Sequence, residues 1–203
     1  MSTKLTTSGI LDDALSIIQD DSATIRSKML GWLNVCFQRI ALDRDWPFLN
    51  KTASLTVTSN KITIPSDFAS FVSASQTDSF YLDKNCQLTD EEAYAEDTSS
   101  GITNAVSFSN DGTYIYFYPG ATGSVSLKYQ QEVPTYTDSA SATLFPIQFK
   151  TLLQRACLDF YYEYDMDERA AMSYQFDQAE LKRVKYWFDR QKPMPGWNNY
   201  IRN

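Results

Sequence analysis

The sequence contains no histidine. That absence excludes histidine triads, histidine metal sites and the commonest general base. Cysteine is scarce: Cys36, Cys86 and Cys157 form an odd set without paired spacing, so no disulfide framework is implied. Cys36 and Cys157 fall on apolar helical faces, where cysteine behaves as a small hydrophobe. A reducing compartment during synthesis fits this usage. No apolar run approaches the roughly 18 residues of a membrane-spanning helix. Met1-Ser2-Thr3-Lys4 opens without the apolar stretch of a signal peptide. A basic excess is missing too: 18 Lys and Arg stand against 25 Asp and Glu, a net charge of −7. Grip on nucleic-acid phosphates needs clustered cations, so tight nucleic-acid binding is not expected. An acidic wall would repel DNA and let it slide past.

Hydrophobic residues make up 43% of the 203, enough for a real core in one large domain or in a domain with a sizeable insertion. The organising stretch is a helical pair from Phe145 to Gln191. Leu153, Ala156, Cys157, Phe160 and Tyr164 share one helical face, and Ala170, Tyr174, Leu181, Val184 and Phe188 share another. The short break Asp165-Met166-Asp167 makes the two helices antiparallel neighbours. Their stripes need partners, and two N-terminal helices supply them. The first runs from an N-cap at Ser8 to Asp20 with Leu11, Ala14, Leu15 and Ile18 inward, and Asp12 and Asp13 suiting its positive end. The second is capped by Ser22 and runs to about Arg44, with Ile25, Met29, Trp32, Leu33, Cys36, Phe37 and Ile40 inward. Pro47 disfavours helix at Trp46, so the helix ends near Asp45. Trp46, Pro47 and Phe48 then mark a junction, where the two large rings wedge between the bundle and the insertion.

Residues between read as strands. Lys51–Thr58 alternates, turns at Ser59-Asn60 and returns through Ile62 and Ile64 as a hairpin. Pro65-Ser66-Asp67-Phe68 ends the strand and starts a short turn, with short strands at 71–75 and 80–82. Thr89 with Glu92 three residues on is a capping box. Asp90, Glu91 and Glu92 fit its solvated first turn better than a catalytic cluster, because consecutive helical residues diverge by about 100°. Asn104–Ser109 and Thr113–Tyr118 form a hairpin at Asn110-Asp111-Gly112. Tyr114, Tyr116 and Tyr118 line one face, Ile115 and Phe117 the other. Such a tyrosine ladder suits cross-strand packing or an interface, and secondarily a stacked sugar or base. Ser124–Gln131 is the last strand, with Val125, Leu127 and Tyr129 on one face. Pro134–Thr143 reads as a Ser/Thr-rich linker, and Pro146 as a first helical residue.

The fold class is therefore α+β: a four-helix bundle of two N-terminal and two C-terminal helices, an inserted antiparallel β-rich domain, and an extended C-terminal tail. The domains are 1–50 with 145–191, the insertion 51–144, and the tail 192–203. Pro193, Pro195 and Gly196 forbid a continued helix in the tail. Trp197, Tyr200 and Ile201 are nevertheless poor residues for a solvated terminus, so the tail docks, and Trp, Tyr and Arg are frequent interface anchors.

With these features the chain resembles the head-to-tail adaptor proteins of short-tailed phages, the tail-tubular-protein-A-like group. The resemblance rests on the paired N-terminal helices ending in Arg44-Asp45-Trp46-Pro47-Phe48 and on the strand-ending Ile64-Pro65-Ser66-Asp67-Phe68. It rests also on the β insertion followed by two returning helices, and on the aromatic extension. It implies a structural virion protein at the neck, made in the host cytoplasm. Copies would assemble as a ring, a dodecamer in that family, between the portal protein and a tail nozzle or tail tube protein. The ring would prolong the channel, through which double-stranded DNA passes without specific binding. The tail would dock on the portal through Trp197, Tyr200, Ile201 and Arg202. No catalytic residue, cofactor, metal or membrane contact is expected. Two other readings stay open: a carbohydrate- or receptor-binding β module using the tyrosine strand, and a glycosidase using Asp90, Glu91 or Glu92. The latter needs two carboxylates facing across a cleft.

Overall fold

The computed structural model describes residues 4–71, 87–89, 105–108, 113–117 and 123–191. Helix and sheet are both present, consistent with the α+β reading, and the chain divides into two compact units. One is Met1–Ile40 with Pro134–Asn203; the other is Ala41–Val133.

The first unit holds α1 (Thr7–Ile18), most of α2 (Ala23–Asp43), α3 (Lys150–Tyr164) and α4 (Ala170–Gln191). Thr6, not Ser8, caps α1: its backbone is extended and its hydroxyl accepts from Gly9 N at 3.2 Å. Asp12 and Asp13 do not occupy the first turn. They tie α1 to its neighbours instead, Asp12 to Arg26 at 2.7 Å and Asp13 to Lys150 at 2.6 Å. Gln19 closes α1 in the left-handed region, and Ser22 caps α2 by accepting from Ile25 N at 3.4 Å. Met29, Leu33, Cys36, Phe37 and Ile40 are buried along α2, as its period requires. Trp32 sits at the margin, stacked on Phe160 with ring centroids 6.2 Å apart.

Helix α3 is buried more widely than one stripe. Leu152, Leu158 and Tyr162 are inside as well as Leu153 and Cys157, while Tyr164 is half exposed. A helix packed on both sides shows no single face in its sequence. Phe149, just before α3, meets Phe188, near the end of α4, at 5.8 Å. That contact makes α3 and α4 antiparallel. Pro146 ends a strand and is not the first residue of a helix; a single 3-10 turn, Ile147–Phe149, precedes α3.

A two-stranded sheet completes this unit, β1 (Lys4–Thr6) against β9 (Ala142–Pro146). The stretch read as a linker is pinned along its length. Thr7 Oγ1 lies 2.6 Å from Thr137 O and accepts from Ser139 N at 3.1 Å. Asn34 Nδ2 donates to Tyr136 O at 3.0 Å, and its Oδ1 accepts from Tyr136 N at 2.8 Å. Tyr136 is held further by Phe37, edge to face at 4.9 Å. The two sequence segments of this unit are thus stitched by backbone pairing as well as by helix packing.

The second unit carries β2 (Asn50–Val57), β3 (Lys61–Thr63), β4 (Phe68–Phe71), β5 (Gln87–Thr89), β6 (Ala105–Phe108), β7 (Tyr114–Tyr116) and β8 (Gly123–Gln131). Two sheets form, ordered β2-β8-β4 and β3-β7-β6-β5. Ser59 and Asn60 both have positive φ, as the expected hairpin turn needs. The hairpin then splits: past the Thr58–Lys61 bridge, β2 pairs along its length with β8 and β3 with β7. Among the described strands pairing is antiparallel except between β5 and β6, which run parallel. Val57, Ile62, Ile115, Phe117, Leu127 and Tyr129 form one core from both sheets.

Candidate interaction surfaces

Two short stretches carry the sequence resemblance, and both are corners of the second unit. At the first, Trp46 is extended, as a residue before proline must be, and Pro47–Leu49 makes one 3-10 turn. Trp46 is wholly buried, Phe48 half buried and Pro47 exposed. The Trp46 carbonyl accepts from Leu49 N at 3.0 Å and from Gln130 Nε2 at 3.2 Å. Gln130, buried on β8, also donates to Asn50 Oδ1 at 2.8 Å. The Arg44 guanidinium lies 5.0 Å over the indole. At the second corner, Phe68 N closes a turn on Pro65 O, and Asp67 accepts from Lys51 Nζ at 2.6 Å and from the Tyr129 hydroxyl at 2.8 Å. The Lys51 bond, helped by Tyr129, holds the Asp67 carboxyl below its ordinary value. Both motifs do structural work: each fixes how a strand leaves its turn.

The tyrosine strand has the alternation expected of it. Ile115 is fully buried, while Tyr114 and Tyr116 lie partly exposed on the other face, 6.3 Å apart. Lys61 Nζ stands 3.8 Å from the Tyr114 ring centroid, so a cation already covers that ring. Tyr118, the acids Asp90, Glu91 and Glu92, and Cys86 lie outside the described residues, as do the anchors Trp197, Tyr200, Ile201 and Arg202. The last described turns of α4 lead into that tail. There Tyr186 and Trp187 are exposed, Arg190 lies 5.2 Å over Tyr186, and Val184 and Phe188 face inward. Large aromatics left in water beside an aromatic terminus make a candidate docking surface.

Sequence reading missed a pair of carboxyls inside the first unit. Asp159 on α3 is only 8% exposed, and Asp177 on α4 hydrogen-bonds to it. Burial, then that bond and the like charge, push the Asp177 carboxyl up to about 9. Asp177 is therefore protonated at neutral pH. Oδ1 of each residue is buried with no hydrogen-bond partner among the described residues. Both line a cavity of about 320 Å³ between α2, α3 and α4, whose walls mix Ile40, Leu152, Ala156 and Leu181 with Arg39 and Glu163. A signal did exist: Asp177 lies on the Tyr174–Leu181 stripe, and Asp159 sits between Leu158 and Phe160. Cys36 and Cys157 are buried and free, as expected; burial pushes the Cys36 thiol up to about 12 and Cys157 in the same direction.

No group of three potential metal ligands occurs among the described residues, and no described helix is long and apolar enough to cross a membrane. A family model described as SU10 adaptor protein matches residues 5–195. Comparison with curated proteins returned no match.

Proposed function

The chain belongs to the SU10 adaptor protein family, structural adaptor proteins of phages, and on that premise we propose that it forms the ring between portal and tail. The observation that carries this reading is the extent of the match, which spans both units. Copies of the chain close into a ring at the virion neck, dodecameric by the resemblance. One side meets the portal protein, the other a tail nozzle or tail tube protein. The bore continues the DNA channel, and the net charge of −7 suits passage of DNA without adhesion. Ring closure needs a heterologous interface, one patch of each copy on a different patch of the next. Residues 51–144 act as an insertion in the helical part, with Trp46, Pro47 and Phe48 at its junction.

Portal contact falls to the tail, 192–203, through Trp197, Tyr200, Ile201 and Arg202. The family match ends at Pro195, just short of these anchors. Their role therefore rests on composition and on the exposed Tyr186 and Trp187 that precede them. The test compares full-length chain with a 1–191 truncation on purified portal by negative-stain microscopy. A second ring with the full-length chain alone establishes adaptor and tail together. A ring with both keeps the adaptor and discards the tail. No ring with either, from folded protein, ends the reading. A sugar-stacking role for the tyrosine strand is the weaker reading, because Lys61 occupies a face of Tyr114.

A further inference from the structure

We propose that the turn between α3 and α4 is a knob, built on Met166 and Tyr164, that seats in an apolar, basic-rimmed pocket of the tail protein meeting the ring on the side away from the portal. This rests on the adaptor reading for where that protein stands.

The knob is read from the way α3 ends. Met166 N donates to Glu163 O at 3.3 Å, and Asp167 N to Tyr162 O at 2.8 Å. Those two bonds are the helix-ending pattern in which the residue after the cap is left-handed, most often glycine and sometimes asparagine. Here that residue is Met166, at φ 54°. A methionine carries steric strain there that glycine avoids. The other described residues at positive φ, Gln19, Ser59 and Asn60, are polar. Met166 is apolar and 94% exposed. Strained backbone and wetted apolar surface both count against stability, so stability does not explain a methionine at this position. Contact with a partner does.

The turn is stiff, so the side chain is presented rather than loose. Asp167 holds both the backbone and the side chain of Arg169. Tyr164, half exposed beside the turn, is fixed by Lys28, 3.8 Å over its ring, and by Trp32 at 5.9 Å. An adaptable thioether next to a fixed ring suits insertion into a pocket.

Charge gives the chemistry of the partner. From Glu163 to Arg169 four acids stand against one cation, and that cation is bound to Asp167. Asp20, just after α1, joins them: burial first, then Asp165, Asp20 and Asp167, push the Tyr161 hydroxyl up. A basic rim complements such surroundings, where an acidic one is repelled. Position gives the side. Helix α4 is 22 residues long, so the turn lies about 33 Å from the point where the tail leaves for the portal. One helix thus carries the portal anchor at one end and the knob at the other.

The test measures binding of the same phage's purified tail nozzle protein to portal carrying the full-length adaptor. Met166→Gly removes the side chain and suits the turn, so its Tm should stay within about 2 °C of wild type. Its affinity for the nozzle protein should fall about tenfold or more, while portal affinity and ring formation stay unchanged. Met166→Leu, which keeps the apolar bulk, should bind within about threefold of wild type. Added salt should weaken the wild-type contact. Undiminished nozzle affinity in Met166→Gly overturns the knob. An equal loss in Met166→Leu assigns the effect to the backbone and overturns it too. Loss of portal affinity overturns its place on the tail side. Wild-type rings on the portal that take no nozzle protein overturn the knob and leave the adaptor reading standing. Absence of any ring overturns the adaptor reading, and the knob with it.

Discussion

Asn34→Ala is the sharpest probe of how the first unit is held shut. The Asn34 side chain grips both backbone groups of Tyr136, donating to its carbonyl at 3.0 Å and accepting from its N–H at 2.8 Å. It also donates to Leu30 O at 3.0 Å, within its own helix. All three bonds are partly buried. Alanine removes them and leaves two Tyr136 groups short of partners, at roughly 1–3 kcal/mol for a buried group and less where water enters. Partial exposure places the sum at about 2–3 kcal/mol. Alanine's better helix propensity returns only a few tenths, on the order of 0.5 kcal/mol. For a chain of this size the net loss predicts a Tm about 3–10 °C lower. Thermal unfolding followed by circular dichroism measures the fall, and amide hydrogen exchange locates it. The Tyr136 N–H should lose protection first, with the β2–β8 amides unaffected. A Tm within about 1 °C of wild type, with Tyr136 still protected, would refute the claim that this residue holds the strap.

Other outcomes rest on the same geometry. Asp167, between α3 and α4, takes three bonds from the Arg169 side chain and one from its backbone, which hold its carboxyl down to about 2. A lowered carboxyl stabilises the fold above its ordinary value of 3.8 and loses that contribution as pH falls towards 2. Asp167→Asn should therefore cost a little Tm at about pH 6 and much less at about pH 2, read by scanning calorimetry. Cys36, moved from 9.0 to about 12, carries roughly a thousandfold less thiolate than an ordinary thiol. Peptide mapping after iodoacetamide should find Cys36 and Cys157 unmodified in native protein and modified in urea; labelling of the native chain at either would contradict their burial.

The helices were legible because their periods are long and their caps chemical. Ser22 reads as a cap and is one. The stripe from Met29 to Ile40 reads as core and is core. Thr6 was passed over because Ser8 offers the same hydroxyl two residues later; the choice is made by β1, which brings the chain in extended as far as Thr6. That strand is three residues long, too short for alternation to show. Its partner hides in a Ser/Thr-rich run whose composition says loop while its hydrogen bonds say strap. In the sheets, alternation gave the faces of β2, β7 and β8, but not their partners. The Ser59-Asn60 turn joins strands that separate into different sheets. Among candidate functional residues, composition pointed to the tail and the Trp46 corner. Asp159 and Asp177 escaped notice because a carboxylate among apolar residues scores as an interruption of a stripe, and only packing shows two of them meeting.

The stitching of residue 7 to residue 139 spans 132 positions of sequence, and this sets an order of events in folding. Closing so long a loop in an open chain is entropically slow. Pairing of Asn50 with Gln130 shortens it first, since the register of β2 on β8 brings those positions side by side. What remains to close is then roughly fifty residues, which lowers the closure cost by about 0.8 kcal/mol. On a ribosome, the first two helices emerge with their apolar stripes bare and wait for the last third of the chain. The unit inserted in sequence therefore folds before the segments flanking it can pair. Pulse-labelled hydrogen exchange should accordingly find β2–β8 amides protected before those of β1–β9, and simultaneous protection would show that the two units close as one.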